Sequence, residues 1–476
     1  MSSRAIIYSN VILSCIFFLG ICGWFLPIPD GLSTQAWHLL IIFLSTIIGI
    51  MLNPLPMGAI TLISITVCVL TQTLELKECL NGFGDDIVWL ILLSFFISRG
   101  FVKTGLGSRI AYLLIRFFGK NTLGVGYSLA MTELILSPVI QSSSARGGGV
   151  LFPIASALYD AYYDNNKSLA DNQKNGGFIM QICLQSNVIT SSMFLTASAA
   201  NPLAVKLISA SAGIEITWLE WFYVAIVPGL TSIIIMPLIV YYFAYPPSLK
   251  KSSKTQILAV EKLRTMGKMT VKEIQMSCIF VLLLWLWLFG KQWFGINATT
   301  TSLIGISLLL LLRIINFHEL MEDSGAWHTF TWYAIVLMMS QRLSAFGVIG
   351  WIGQKLELLV VGFSPTTSII LLSIIYFYIH YIFASITTHI SVLLPAFLAI
   401  FMAFGIQPQI AAFILIFLSI LSSGLTHFGT SVAPIFFGSG HMQIRAWWRV
   451  GFIMSLVYIP VWVIVGGLWW KIIGLW

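Results

Sequence analysis

Long apolar runs, separated by short polar punctuation, dominate the chain. A run of about 17 to 25 apolar residues is long enough to cross a bilayer as a helix. Such runs occupy 5–26, 36–52, 57–73, 87–102, 177–195, 218–243, 274–290, 298–316, 328–345, 409–425 and 447–470, which predicts eleven transmembrane helices. Two further apolar stretches, 121–158 and 365–403, are too long for one crossing, and each is interrupted near its middle by polar residues. Each is expected to be a re-entrant hairpin, two helices joined by a turn that enter and leave on the same side. The fold class is therefore an all-α integral membrane protein.

Composition agrees with that pattern. Hydrophobic residues make up 58% of the 476 and charged residues only 9%, with a mean hydropathy of +0.93, which excludes an ordinary soluble globular domain. The segment after the first run, Pro27 to Ser33, offers no clear small-residue cleavage site, so that run is expected to be retained. Only Ser2, Ser3 and Arg4 stand between Met1 and the run, which leaves no room for a transit peptide. The six cysteines lie mostly in or beside runs, without metal-ligand spacing, and read as small core residues.

Charge orients the chain. Residues 246–273 carry seven Lys or Arg against two Glu and are expected to stay in the cytoplasm. Counting spans back places the N-terminus inside and the C-terminus outside. The net charge of +8 needs no nucleic-acid partner, because a basic linker beside anionic lipid accounts for it.

The chain also repeats. Trp89 and Trp332, Arg99 and Arg342, Ser142 and Ser385, Ser144 and Thr387, and Arg146 and His389 share one offset of 243 residues. Each half then holds five spans and one broken hairpin, and an odd number of spans requires the second half to be inverted. Inverted halves with discontinuous helices are the architecture of secondary transporters. Four breaks are expected: the tips at 142–149 and 385–389, and the stretches TASAANP, 196–202, and THFGTSVAP, 426–434.

Their chemistry favours an anion. Ser142, Ser143 and Ser144 offer hydroxyls, and Gly147, Gly148 and Gly149 would leave the next half-helix open to a ligand at its positive end. Arg146 adds a permanent charge and a fork that matches a carboxylate. Ser385, Thr387, Thr388 and His389 supply a second hydroxyl set and a titratable group. Two cationic centres suit a ligand with two carboxylates. For the small residues the competing reading is close helix packing. Glu133 and His380 read equally as hairpin ion-pair partners, Arg99 and Arg342 as interfacial anchors, and His427 as either site lining or packing. Nothing suggests an enzyme or a cofactor, since the seven histidines show no HExxH spacing.

The hairpin tips, the pattern T-x-x-x-x-N at Thr196 and Asn201, the stretch GLTHFGT at 424–430, the linker EKLRTMGKMTVKE and the early stretch GLSTQAWHLL resemble the divalent anion/sodium symporter family, within it the citrate/succinate and 2-oxoglutarate/malate exchangers. The resemblance implies a homodimer working as an elevator, and the lack of an organelle signal makes a bacterial cytoplasmic membrane the expected location. Scaffold segments would be 1–120 and 274–360, transport segments 121–243 and 361–476, and the basic linker 244–273. In that family each tip carries a Ser-Asn-Thr signature that binds substrate and builds sodium sites. The matching positions here are Ser142-Ser143-Ser144 and Ser385-Ile386-Thr387, so both asparagines are missing. The substrate site implied is Ser142, Ser143, Ser144, Arg146, Thr196, Asn201, Ser385, Thr387, His389, Thr426 and Thr430, with no metal. A fixed cation in place of sodium implies a sodium-independent dicarboxylate antiporter. An uncompensated charge costing about 2.5 to 3.5 kcal/mol would slow return of the empty carrier about 100- to 400-fold. The alternatives are a sodium-coupled dicarboxylate or citrate symporter, using backbone carbonyls as ligands, and an anion channel.

Overall fold

A computed structural model describes residues 3–475 except 53, 164–167, 249–253, 349, 352–354, 356–364 and 384, so part of the basic linker lies outside the described residues. Among the described residues there are helices and no strands. In chain order the α-helices are α1 (Ser3–Trp24), α2 (Thr34–Leu52), α3 (Met57–Leu70), α4 (Leu76–Leu80), α5 (Asp86–Thr104), α6 (Leu106–Phe118), α7 (Thr122–Leu136), α8 (Phe152–Tyr162), α9 (Leu169–Met193), α10 (Ala200–Ala212) and α11 (Trp218–Ile239). The order continues with α12 (Lys254–Met266), α13 (Val271–Phe294), α14 (Ala298–Leu311), α15 (Phe317–Met321), α16 (Ser324–Ala345), α17 (Pro365–Tyr378), α18 (Ile386–Ala403), α19 (Pro408–Ser422), α20 (Ala433–Phe437), α21 (Ile444–Pro460) and α22 (Gly467–Ile472).

Every predicted span falls on a helix, and both long stretches divide into two α-helices. The chain is already helical again over 143–149 and 386–389, so the breaks lie largely ahead of the expected tips at 142–149 and 385–389. Six segments have the length and apolarity of a crossing: Thr34–Leu52, Asp86–Thr104, Trp218–Ala244, Val271–Phe294, Ile386–Ala403 and Ile444–Ile472. Helix starts are set by side chains that satisfy free backbone N–H groups. Thr217 with Glu220, Thr270 with Glu273, and Asn316 with Glu319 form reciprocal capping boxes at the starts of α11, α13 and α15. Besides the five-residue helices α4, α15 and α20, three helices were not foreseen as elements. α6 and α12 are amphipathic and α10 is short and rich in Ala and Ser, so none carries a long apolar run.

The repeat is written in the backbone. After α3, Gln72 adopts φ 55°, and after α14, Arg313 adopts φ 53°; these are the only two described non-glycine residues with positive φ. Thr73 and Leu74 N–H groups both return to the Cys68 carbonyl, and Ile314 and Ile315 N–H groups both return to the Leu309 carbonyl. Each turn then enters a five-residue helix with its own capping box, α4 with Glu75 and Glu78 and α15 with Asn316 and Glu319. A bulky residue in the left-handed region is uncommon, so its recurrence at matching places marks the two halves as copies.

By packing, the chain forms two units. The first comprises 1–92, 202–216 and 323–419; the second comprises 93–201, 217–322 and 420–476. In the first unit, α16 of the second half packs against α2, α3 and α4 of the first half. There Arg342 Nη1, in the last turn of α16, lies 3.1 Å from Glu78 Oε1. Lys206 Nζ in the same unit lies 3.3 Å from Asp85 and 3.0 Å from Asp86. In the second unit, Gly100 of α5 approaches Leu309 and Met276, and Lys103 pairs with Glu319 at 2.6 Å. Each unit thus joins a capping-box glutamate of one half to a cation ending a long helix of the other. The units group residues by packing in one conformation, whereas scaffold and transport segments are defined by motion.

Candidate functional site

The first hairpin turns at Pro138, which has no N–H with which to continue α7. After the tip, Ser142 Oγ accepts the Ala145 N–H at 3.1 Å, and the Arg146 N–H bonds to the Ser142 carbonyl at 2.9 Å. The next turn, Ala145–Leu151, is wound wide, with bonds from i to i+5. A second break follows α9, where Phe194 is extended, Leu195–Ala197 make one tight turn, Ser198 is extended again and α10 begins at Ala200.

Arg146 ties these parts together. Its side chain and that of Glu133 on α7 are fully buried, with Nε 2.5 Å from Glu133 Oε1. Nη1 donates to the carbonyl oxygens of Ile140, in the tip, and Ala197, in the second break, the latter at 2.9 Å. Nη2 donates to Ser191 Oγ at 3.2 Å, and Asn187 Nδ2 donates to Glu133 Oε1 at 2.5 Å. The expected free fork is therefore not met here, because the guanidinium is committed to protein groups and its charge is balanced by Glu133. The ion-pair reading of Glu133 is the one realised.

Other expected residues divide by the state of their polar atoms. Thr196 donates to the Pro138 carbonyl and accepts from Trp218 Nε1 at 3.0 Å, so its hydroxyl holds the break to the tip. Asn201 Nδ2 donates to the carbonyls of Ser191 (2.8 Å) and Phe194 (2.9 Å), which closes the end of α9, while Asn201 Oδ1 has no protein partner. Thr426 Oγ1 is buried without a partner, and Thr430 is buried nearby in sequence. Ser144 donates to Ser431 Oγ at 2.8 Å, and Ser143 lies 3.3 Å from it.

The glycines serve packing. A Cβ on Gly147 would stand 2.2 Å from Val432 Cγ2, and one on Gly148 would stand 2.7 Å from Ile435 Cδ1. That contact corrects the expectation that these glycines open the half-helix to a ligand. His427 accepts from Trp448 Nε1 at 3.2 Å and packs on Phe437, so it is a packed residue too. Two polar residues were missed. Gln141 is fully buried with neither amide atom bonded, although it adjoins the serine run, and Ser431 sits inside the expected break.

The second hairpin lies in the first unit. Its tip repeats the tie of the other, since the His389 N–H bonds to the Ser385 carbonyl and His389 Nε2 meets the carbonyl of Tyr376, thirteen residues back, at 3.0 Å. Arg146 reaches Glu133 over the same interval. His389 is fully buried, with the ring of His380 at 5.0 Å and Tyr376 at 4.7 Å, and its Nδ1 has no partner. Ser385 and Thr387 hydroxyls are 2.6 Å apart. All but Ser385, Thr387 and His389 of the expected site belong to the second unit.

A family model described as the sodium:sulfate symporter transmembrane region matches residues 8–476. The chain belongs to the divalent anion/sodium symporter family. Among curated members it is 46% identical to the putative malate transporter YflS of Bacillus subtilis, over 96% of this chain and 95% of that one. It is 44% identical to the chloroplastic dicarboxylate transporter 1 of Spinacia oleracea, over 96% of this chain and 80% of that one. It is 33% identical to the citrate/succinate antiporter of Escherichia coli, over 95% of each. The Alcanivorax borkumensis YdaH transporter shares the fold, with a TM-score of 0.55 over 98% of both chains at 13% identity. Membership makes the protein a multi-pass membrane protein of a transporter family, in keeping with its apolar helices.

Proposed function

We propose that the protein is a secondary transporter that exchanges one dicarboxylate for another without sodium. The observation that carries this reading is the place of Arg146 Nη1, between the carbonyl oxygens of Ile140 and Ala197. Carbonyls freed at hairpin tips and unwound helices are where transporters of inverted-repeat design hold their coupling cations. A guanidinium there cannot leave, so the tip closes without sodium. Relatives named as a putative malate transporter, a dicarboxylate transporter and a citrate/succinate antiporter support the substrate class.

Substrate carboxylates would bond to Ser142, Ser143, Ser144, Thr426 and Thr430 of the second unit, with Gln141 and Ser431 added, while Asn201, whose two N–H groups are already donated to carbonyls, positions the break. Arg146, Thr196 and His389 act as positioning residues. Because Glu133 balances Arg146, the slow return of an empty carrier no longer follows from a bare charge, and exchange rests on the need for substrate to satisfy Gln141 and Thr426, which are buried without protein partners. Movement is proposed to be of the elevator type, in a homodimer of the cytoplasmic membrane with the N-terminus inside and the C-terminus outside. Inhibition of labelled malate uptake in proteoliposomes tests the class. Malate, succinate, fumarate and 2-oxoglutarate should compete; competition by sulfate alone would refute it.

A further inference from the structure

The second unit holds a cavity of about 500 Å³ between α6 and α12, lined by Arg116, Gln256, Ile257, Val260, Glu261 and Arg264. Its walls are fixed. Thr255 Oγ1 donates to the Gly119 carbonyl at 2.9 Å, and Gln256 Nε2 donates to the Arg116 carbonyl at 2.8 Å. Arg109 of α6 is bound by Glu273 at 2.6 Å and by the Gly267 carbonyl at 2.9 Å, which pins α6 at the start of α13. Both helices connect the ends of apolar spans, so the cavity lies where a bilayer surface would be.

The side chains there are of two kinds. Arg116 and Arg264 face the cavity and form no ion pair among the described residues. Ile257 and Val260, which line the cavity with them, are exposed, Ile257 by 63%, which water would penalise. A helix pair with apolar side chains and arginines on one accessible face suits the headgroup and acyl boundary of a membrane. Glu261 repels a bare anion, but with Gln256 Oε1 it can accept from hydroxyls.

We propose that this cavity binds the headgroup of an anionic phospholipid bearing hydroxyls. The phosphodiester lies between Arg116 and Arg264, the hydroxyls bond to Glu261 and Gln256, and the acyl chains cover Ile257 and Val260. α6 runs directly into α7, so an occupied cavity steadies the entry to the first hairpin.

The test adds short-chain phosphatidylglycerol, short-chain phosphatidylcholine or inorganic phosphate to the purified protein in neutral detergent, reading the shift of its melting temperature. Phosphatidylglycerol should raise it saturably, whereas phosphatidylcholine and phosphate should not. At about fivefold per arginine, R116Q/R264Q should bind phosphatidylglycerol about 30-fold more weakly. R264Q alone, should the double variant not fold, should bind about fivefold more weakly. An undiminished shift in a folded variant, or an equal shift with phosphatidylcholine, overturns the proposal. An equal shift with phosphate would mean a free-anion site instead and overturns it as well.

Discussion

At the scale of the residue, the central object is the buried pair of Arg146 and Glu133. Removing one partner leaves an unpaired buried charge, which typically costs about 3 to 5 kcal/mol. Glu133→Gln should therefore lower thermal stability in detergent sharply, and Arg146→Met with Glu133→Leu should recover most of it, since replacing both members of such a pair by apolar groups is often close to neutral. An equal loss in the double variant would show that the pair's other bonds matter more. Thr196 and Thr426 separate stability from binding. Thr196→Val strands Trp218 Nε1 and the Pro138 carbonyl and should destabilise by about 1 to 3 kcal/mol. Thr426→Val removes a hydroxyl with no protein partner, so it should raise KM for dicarboxylate while leaving the melting temperature unchanged or higher. Arg146 stood out in the sequence as a cation in apolar surroundings. What it touches did not, because the bonds to Ala197 and Ser191 cross about fifty residues of chain and no periodicity records them.

At the scale of the element, the breaks were legible and their packing was not. Pro, Gly and hydroxyl residues mark where helices stop, and α7, α9, α17 and α19 do end at or near the expected breaks. That Gly147 faces Val432 depends on the fold's long-range contacts. Gly147→Ala would place a methyl group against that side chain and should cost about 1 to 3 kcal/mol by overpacking, checked by melting temperature. Val432→Ala in the same chain should restore part of it. The amphipathic α6 and α12 escaped a search for long apolar runs because their buried faces alternate with polar ones, and α10 escaped it because it is short and rich in Ala and Ser. The small helix α15 offers a pH test. Its Glu319 carboxyl is held below its ordinary value of 4.5, first by the hydrogen bond from Lys103 and then by the Asn316 N–H. A lowered value in the folded state stabilises fully above about pH 4.5 and is lost as pH falls through the lowered value. Part exposure limits the effect to about 1 kcal/mol or less. Lys103→Met should lower stability at neutral pH by about 1 kcal/mol or less, leave it unchanged in strong acid and so flatten the acid limb below pH 4.5.

At the scale of the whole molecule, the repeat was readable from a handful of residues sharing one offset, and the backbone bears it out at Gln72 and Arg313, which no sequence pairing had suggested. Mixing of the two halves was an expectation of the family resemblance, but which spans group in each unit was not readable, since the order of spans along the chain does not name their partners. The central claim is that Arg146 stands where a coupling cation would otherwise bind. The most direct measurement is uptake of labelled malate into proteoliposomes, either loaded with unlabelled 2-oxoglutarate or left empty, each with and without sodium. The account predicts uptake that requires internal dicarboxylate and is indifferent to sodium. Uptake into empty vesicles driven by an inward sodium gradient would contradict it.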